Sequence, residues 1–129
     1  MKSQSGFNIY WMLSILFMGL IFLFSSFPPP KEVSFLFAGK PIHFLAYGLL
    51  ASLIYFAREK SRTLFHPIFI PFVIAFLYGV SDEIHQHFVP GREADVFDAL
   101  ANASGAFFFP LGIHAKKYGC RIRSPNKNR

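Results

Sequence analysis

Four apolar runs, each closed by proline, glycine or a burst of charge, divide the chain. The first extends from about Ile9 to Phe27, and the prolines Pro28, Pro29 and Pro30 behind it cannot continue a helix. The second covers about Pro41 to Ala57, opening on a proline suited to the first helical turn and ending at Arg58, Glu59, Lys60 and Arg62. The third begins near Pro67, stays apolar to Val80, and carries Pro71, which is expected to kink or restart the helix in its first turn. Polar positions then enter on part of its surface, and the helix is expected to reach about Gln86 before Pro90 and Gly91 force a turn. The fourth runs from about Asp95 to Ile113 and starts on acidic residues, as helix N-termini favour. Each run approaches the roughly 17–25 residues a helix needs to cross hydrocarbon. The pattern predicts an all-α fold: an integral membrane bundle of four transmembrane helices over 9–27, 41–57, 67–86 and 95–113. It forms one domain with a basic tail over 114–129 and no internal repeat.

Composition sharpens this reading. With 129 residues, 53% hydrophobic content and 18 phenylalanines, the chain has more apolar surface than a soluble core of this size could hide. The first run is long for the hydrophobic region of a signal peptide, and no A-x-A-like site follows it, so it reads as an uncleaved span. A single cysteine, Cys120, cannot form an internal disulfide.

Charge placement predicts an orientation. Four spans put Lys2, Arg58, Lys60, Arg62, Lys116, Lys117, Arg121, Arg123, Lys127 and Arg129 on one side, against Lys31, Lys40 and Arg92 on the other. By the positive-inside rule both termini are expected in the cytoplasm. The net charge of +6 is divided among membrane flanks with no nucleic-acid-binding fold, so lipids rather than nucleic acid are the expected partners.

The same topology gathers polar chemistry at the opposite, extracytoplasmic end. Most of the seven acidic residues fall between Tyr78 and Gly105, as Asp82, Glu83, Glu93, Asp95 and Asp98. Lys40, His43 and Tyr47, at the start of the second span, lie at that end too. The spacings line up helix faces: His43 with Tyr47, Asp82 with Gln86, Glu83 with His87, and Asp98 with Asn102 and Gly105. Ionisable groups at the ends of apolar helices need a reason, either water or a site. A metal set drawn from Asp82, Glu83, His85, His87 and His43 has imperfect spacing, because His85 points to another face of the helix, and neither H-E-x-x-H nor C-x-x-C is present. No metal or cofactor is therefore expected from the motifs.

Two linked patterns resemble a known family. K-x-x-H-x-x-x-Y (Lys40, His43, Tyr47) precedes D-E-x-x-Q-x-F-x-P-x-R (Asp82, Glu83, Gln86, Phe88, Pro90, Arg92), which is followed by D-x-x-x-N-x-x-G (Asp98, Asn102, Gly105). Over about Lys40 to Gly105 the chain resembles the VanZ-like membrane proteins. The resemblance implies a small multi-span bacterial membrane protein of the cell envelope. It also implies a link to low-level resistance to the glycopeptide antibiotic teicoplanin.

Two function classes stay open. In the first, Arg92 and Lys40, with two helix N-termini, receive an anionic headgroup of a lipid or lipid-linked cell-wall intermediate. His43, Asp82 and Glu83 are then the candidate catalytic residues, and Lys40, Tyr47, Gln86, Arg92, Asp98 and Asn102 the candidate ligand-binding residues. In the second, the protein is a non-catalytic scaffold or partner-binding protein, and the same polar side chains hydrogen-bond between helices. Arg92 then pairs with Asp98 or Glu83.

Overall fold

The computed structural model describes residues 8–28, 39–60 and 66–122. Expectations placed on Lys2, Pro29, Pro30, Lys31, Arg62, Arg123, Lys127 and Arg129 lie outside these residues. Among the described residues there are four helices and no strand: α1 (Ile9–Ser25), α2 (Lys40–Lys60), α3 (Phe69–His87) and α4 (Val96–Ile122).

Local chemistry explains where each begins and ends. Asn8 caps α1, its side chain accepting from the amides of Tyr10 and Trp11, two donors the helix leaves without partners. The Asn8 amide nitrogen donates in turn to the Ala57 carbonyl at 2.7 Å, tying the start of α1 to the end of α2. Pro71 sits in the first turn of α3, where no intrahelical N–H is needed, so it neither breaks nor restarts the helix. The fourth helix runs nine residues past the expected Ile113 and passes through Pro110. Apolarity set the expected end, but the polar residues His114, Lys116 and Lys117 are no helix breakers, and backbone hydrogen bonding carries on through them.

The helices alternate in direction. Asn8 meets Ala57 at one end, while at the other Ser26, after α1, bonds His85 near the end of α3. Helix α2 is central, with Tyr47, Leu50, Ala51 and Ile54 buried against Ala75 of α3 and Ala106 of α4. Trp11, Phe17, Met18 and Ile21 of α1 close this core. Its tightest seam joins α2 to α4. A Cβ added to Gly105 would lie 2.0 Å from the Phe44 carbonyl oxygen, so only glycine lets these backbones come so close.

Polarity is inverted relative to a soluble protein. Ser14, Ser52, Asp82, Glu83, Gln86 and Asn102 are buried, while Leu16, Leu23, Phe24, Leu45, Leu77, Ile84, Leu100 and Phe108 are exposed. An apolar exterior over all four helices suits hydrocarbon as the solvent. Two helices, Lys40–Glu59 and Val96–Gly119, are long and apolar enough to cross a membrane. Helix α1 is apolar but has 17 residues, about 25 Å at 1.5 Å per residue, and α3 carries Asp82 and Glu83 in its last turns.

Candidate functional site at the polar end of the bundle

The N-terminal ends of α2 and α4 and the C-terminal end of α3 converge, as the sequence spacing led one to expect, and their side chains separate into two groups. The first is an interhelical network. Asp82 Oδ2 accepts from Tyr47 Oη at 3.1 Å and from Gln86 Nε2 at 2.9 Å, joining α2 to α3 below the surface. His43 Nδ1 and Asn102 Oδ1, 3.0 Å apart, join α2 to α4. With the Asn102 oxygen toward the ring, Nδ1 is the donor of this pair, and Nε2 faces Asp98.

The second group flanks the imidazole, one carboxylate near each nitrogen. Asp98 Oδ2 stands 3.6 Å from His43 Nε2, and Glu83 Oε1 stands 3.9 Å from Nδ1. Neither distance is a hydrogen bond. Glu83 is 8% exposed, and neither of its carboxylate oxygens has a hydrogen-bond partner. The Asp95 amide faces that carboxylate without reaching normal bonding geometry.

Outside this group lies a cavity of about 260 Å³, lined by His43, Gln86, Gly91, Arg92, Glu93, Asp95 and Asp98. Its floor is shaped by the turn at Val89–Arg92, closed by Arg92 N–H donating to the Val89 carbonyl, with Gly91 at φ +83°. A positive φ at the third position after a proline is the pattern of a type II turn. Arg92 thus reaches the cavity wall, but its guanidinium also donates to the Phe27 and Phe24 carbonyls at 3.1 and 3.4 Å. It completes the end of α1, where carbonyls lack partners and carry negative partial charge. The expected pairing with Asp98 or Glu83 does not occur among the described residues. Lys40 is exposed and pairs with Asp95 at 3.6 Å, beside the Phe97 ring.

All nine candidate residues therefore lie at one end, in different roles. Tyr47, Asp82 and Asn102 hold helices together, and Gln86 braces Asp82 within α3 and lines the cavity wall. His43, Glu83 and Asp98 converge, and Arg92 and Lys40 stand at the mouth. The metal set considered along α3 does not assemble: His85 bonds Ser26 Oγ and packs on Phe22, and His87 is exposed. The sequence placed His43, Glu83 and Asp98 at one end but did not single them out as a metal set, because spacing relates residues on one helix and these three come from three. At the far end, Tyr55 bonds His114 and Lys117 pairs with Glu59.

A family model described as VanZ/LLP1 matches residues 7–115. The chain belongs to the VanZ family. The match takes in α1, α2 and α3 whole, α4 as far as Ala115, and every residue of the polar end. No curated protein and no solved structure gives a match. VanZ membership, with α2 and α4 each able to cross a bilayer, makes this a membrane protein.

Proposed function

We propose that this VanZ-family protein crosses the bacterial membrane four times with both termini in the cytoplasm. In this reading its polar end, on the extracytoplasmic side, binds the headgroup of an anionic lipid or lipid-linked envelope intermediate. The orientation is supported by the basic residues Arg58, Lys60, Lys116 and Lys117 at the end away from the cavity. One observation carries the binding reading: exposed apolar side chains stand within two residues in sequence of the cavity's lining residues. Phe88, Val96 and Phe97, each more than half exposed, adjoin Gln86, Asp95 and Asp98 in its lining. A headgroup in the cavity would leave its acyl chains against these groups.

The lining also limits the chemistry. Among the described residues the lining holds no serine or cysteine, so the nucleophile of a reaction there would be water, His43 or one of the lining's own carboxylates. Asp98 faces His43 and could exchange a proton with it through one water, whereas Asp82 is taken up by Tyr47 and Gln86. The acids Glu93, Asp95 and Asp98 outnumber Arg92 in the lining, so a phosphate there needs further positive charge.

The test is thermal unfolding of the detergent-purified protein with phosphatidylglycerol, phosphatidylcholine or a lipid-linked cell-wall intermediate. We expect an anionic lipid, phosphatidylglycerol or the cell-wall intermediate, to raise Tm in the wild type and not in folded His43→Gln, and phosphatidylcholine to raise neither. If no headgroup shifts Tm, the reading is wrong. The second reading, a scaffold stapled by polar contacts, is favoured by the Tyr47–Asp82–Gln86 and His43–Asn102 bonds. Under it, Tyr47→Phe and His43→Gln both lower stability and no headgroup matters. Any effect on teicoplanin susceptibility would, in the first reading, be abolished by His43→Gln in a strain where the protein still accumulates.

A further inference from the structure

We propose that His43, Glu83 and Asp98 bind a first-row divalent cation, Zn²⁺ or Mn²⁺, at the inner wall of the cavity. Each residue offers one ligand atom, and the three atoms lie within 4.8 Å of one another. Ligands about 2.0–2.2 Å from a cation stand roughly 3.4–3.6 Å apart as tetrahedral neighbours and at most about 4.4 Å apart across it. The 3.6 Å between His43 Nε2 and Asp98 Oδ2 already matches the neighbour spacing. Closing a separation of up to 4.8 Å to the tetrahedral spacing takes about 1.2 Å of relative movement, shared between two side chains.

Shared protons are the competing account of such a cluster. They fit the distances poorly. A proton held between a carboxylate and an imidazole or second carboxylate brings the heavy atoms to about 2.5–2.9 Å. The gap from His43 Nε2 to Asp98 Oδ2 is 3.6 Å, too long for a hydrogen bond and suited to an ion between ligands, while the 3.9 Å from Glu83 Oε1 is to Nδ1, the nitrogen that faces Asn102. Glu83 supplies the independent observation: a carboxylate more than nine-tenths buried, with both oxygens lacking a hydrogen bond. Buried carboxylates are paired or coordinate metals, because removing them from water is costly.

The surroundings are arranged as around a metal-bound histidine. Asn102 accepts from Nδ1–H, which fixes the ring and leaves the Nε2 lone pair pointing toward Asp98. Metal-ligating histidines usually donate their other N–H in this way. Without a cation or a proton, that lone pair would face a carboxylate. One imidazole with two carboxylates suits Zn²⁺ or Mn²⁺. His43 and Asp98 also line the cavity, so the open coordination positions would face the space proposed for a headgroup. The ion would supply the positive charge that the acidic lining lacks for a phosphate. That use of the ion rests on the headgroup reading, but its binding does not.

The measurement uses the full chain, purified in detergent without a polyhistidine tag and stripped with EDTA. It is then incubated with Zn²⁺ or Mn²⁺, desalted and assayed for metal per chain. We expect about one ion per chain, a rise in Tm on loading, and at least a tenfold loss of affinity in both Glu83→Gln and Asp98→Asn. Glu59→Gln, at the far end of the bundle, should bind as wild type does. Should Glu83→Gln fail to fold, Asp98→Asn and the wild-type Tm response decide the matter. No retained ion and no Tm response to either metal would overturn the proposal. So would retention undiminished in both variants. No lipid is present, so failure here is distinct from failure of the headgroup titration.

Discussion

Replacing Gly105 by alanine tests whether the close seam between α2 and α4 sets the geometry of the polar end. The added Cβ would lie 2.0 Å from the Phe44 carbonyl oxygen, where real Cβ contacts are essentially never under 3.0 Å. Backbone lies on both sides of the clash, so no side chain can swing away. The helices must part by about 1 Å. Phe44 follows His43, and Asn102 is one turn before Gly105, so the same displacement stretches the 3.0 Å bond between His43 and Asn102 toward 4 Å. Overpacking costs about 1–3 kcal/mol, and a buried hydrogen bond lost with its partners unsatisfied about 1–3 kcal/mol more. A destabilisation of roughly 2–6 kcal/mol follows. Gly112 and Gly119 are internal controls on the same helix, since a Cβ at either meets nothing within 4 Å. Alanine there should be neutral or stabilising by about 0.5–1 kcal/mol through helix propensity. The assay is thermal unfolding in one detergent. A Gly105→Ala variant melting with Gly112→Ala would show that the seam does not hold the site.

Other perturbations probe the remaining joints. Asn8→Ala removes the cap of α1 and its tie to Ala57, and should cost about 1–2 kcal/mol in thermal unfolding. Asn8→Asp keeps the capping acceptor but not the donor to Ala57, so it should fall between. Gly91→Ala puts a side chain at φ +83° and should cost about 1–2 kcal/mol, with Gly91→Asn milder; equal melting of all three proteins would refute the turn assignment.

Much of the fold was legible because a helix relates residues by fixed rotation. His43 with Tyr47, and Asp98 with Asn102 and Gly105, could be assigned to inward faces from spacing alone, and the structure places them there. What crosses between helices was not legible. Arg92 reaches back to the carbonyls of Phe24 and Phe27 across more than sixty residues, and no local pattern announces that bond. The seam at Gly105 is equally silent in sequence, because a glycine in an apolar helix does not reveal which backbone it admits. Helix α4 outran its expected end for a different reason. Hydropathy marks where hydrocarbon could stop, whereas a helix stops where its hydrogen bonding does.

Asp82 and Glu83 are consecutive acids, both buried, and their surroundings differ in a way that separates scaffolding from site. Asp82 Oδ2 receives two hydrogen bonds, from Tyr47 and Gln86, while Glu83 receives none. A bundle that needed polar groups only as staples would gain nothing from an unbonded carboxylate beside His43 and Asp98, because such a group destabilises the folded chain unless a ligand compensates it. The two amide substitutions should therefore act in opposite directions in metal-free protein. Asp82→Asn weakens two charge-assisted bonds and should lower stability by about 1.5–3 kcal/mol. Glu83→Gln removes a buried charge facing other carboxylates and should leave Tm unchanged or raise it. It should also abolish any stabilisation by added Zn²⁺ or Mn²⁺. If both substitutions lower Tm alike, Glu83 is part of the staple, and the distinction between the two halves of the polar end fails.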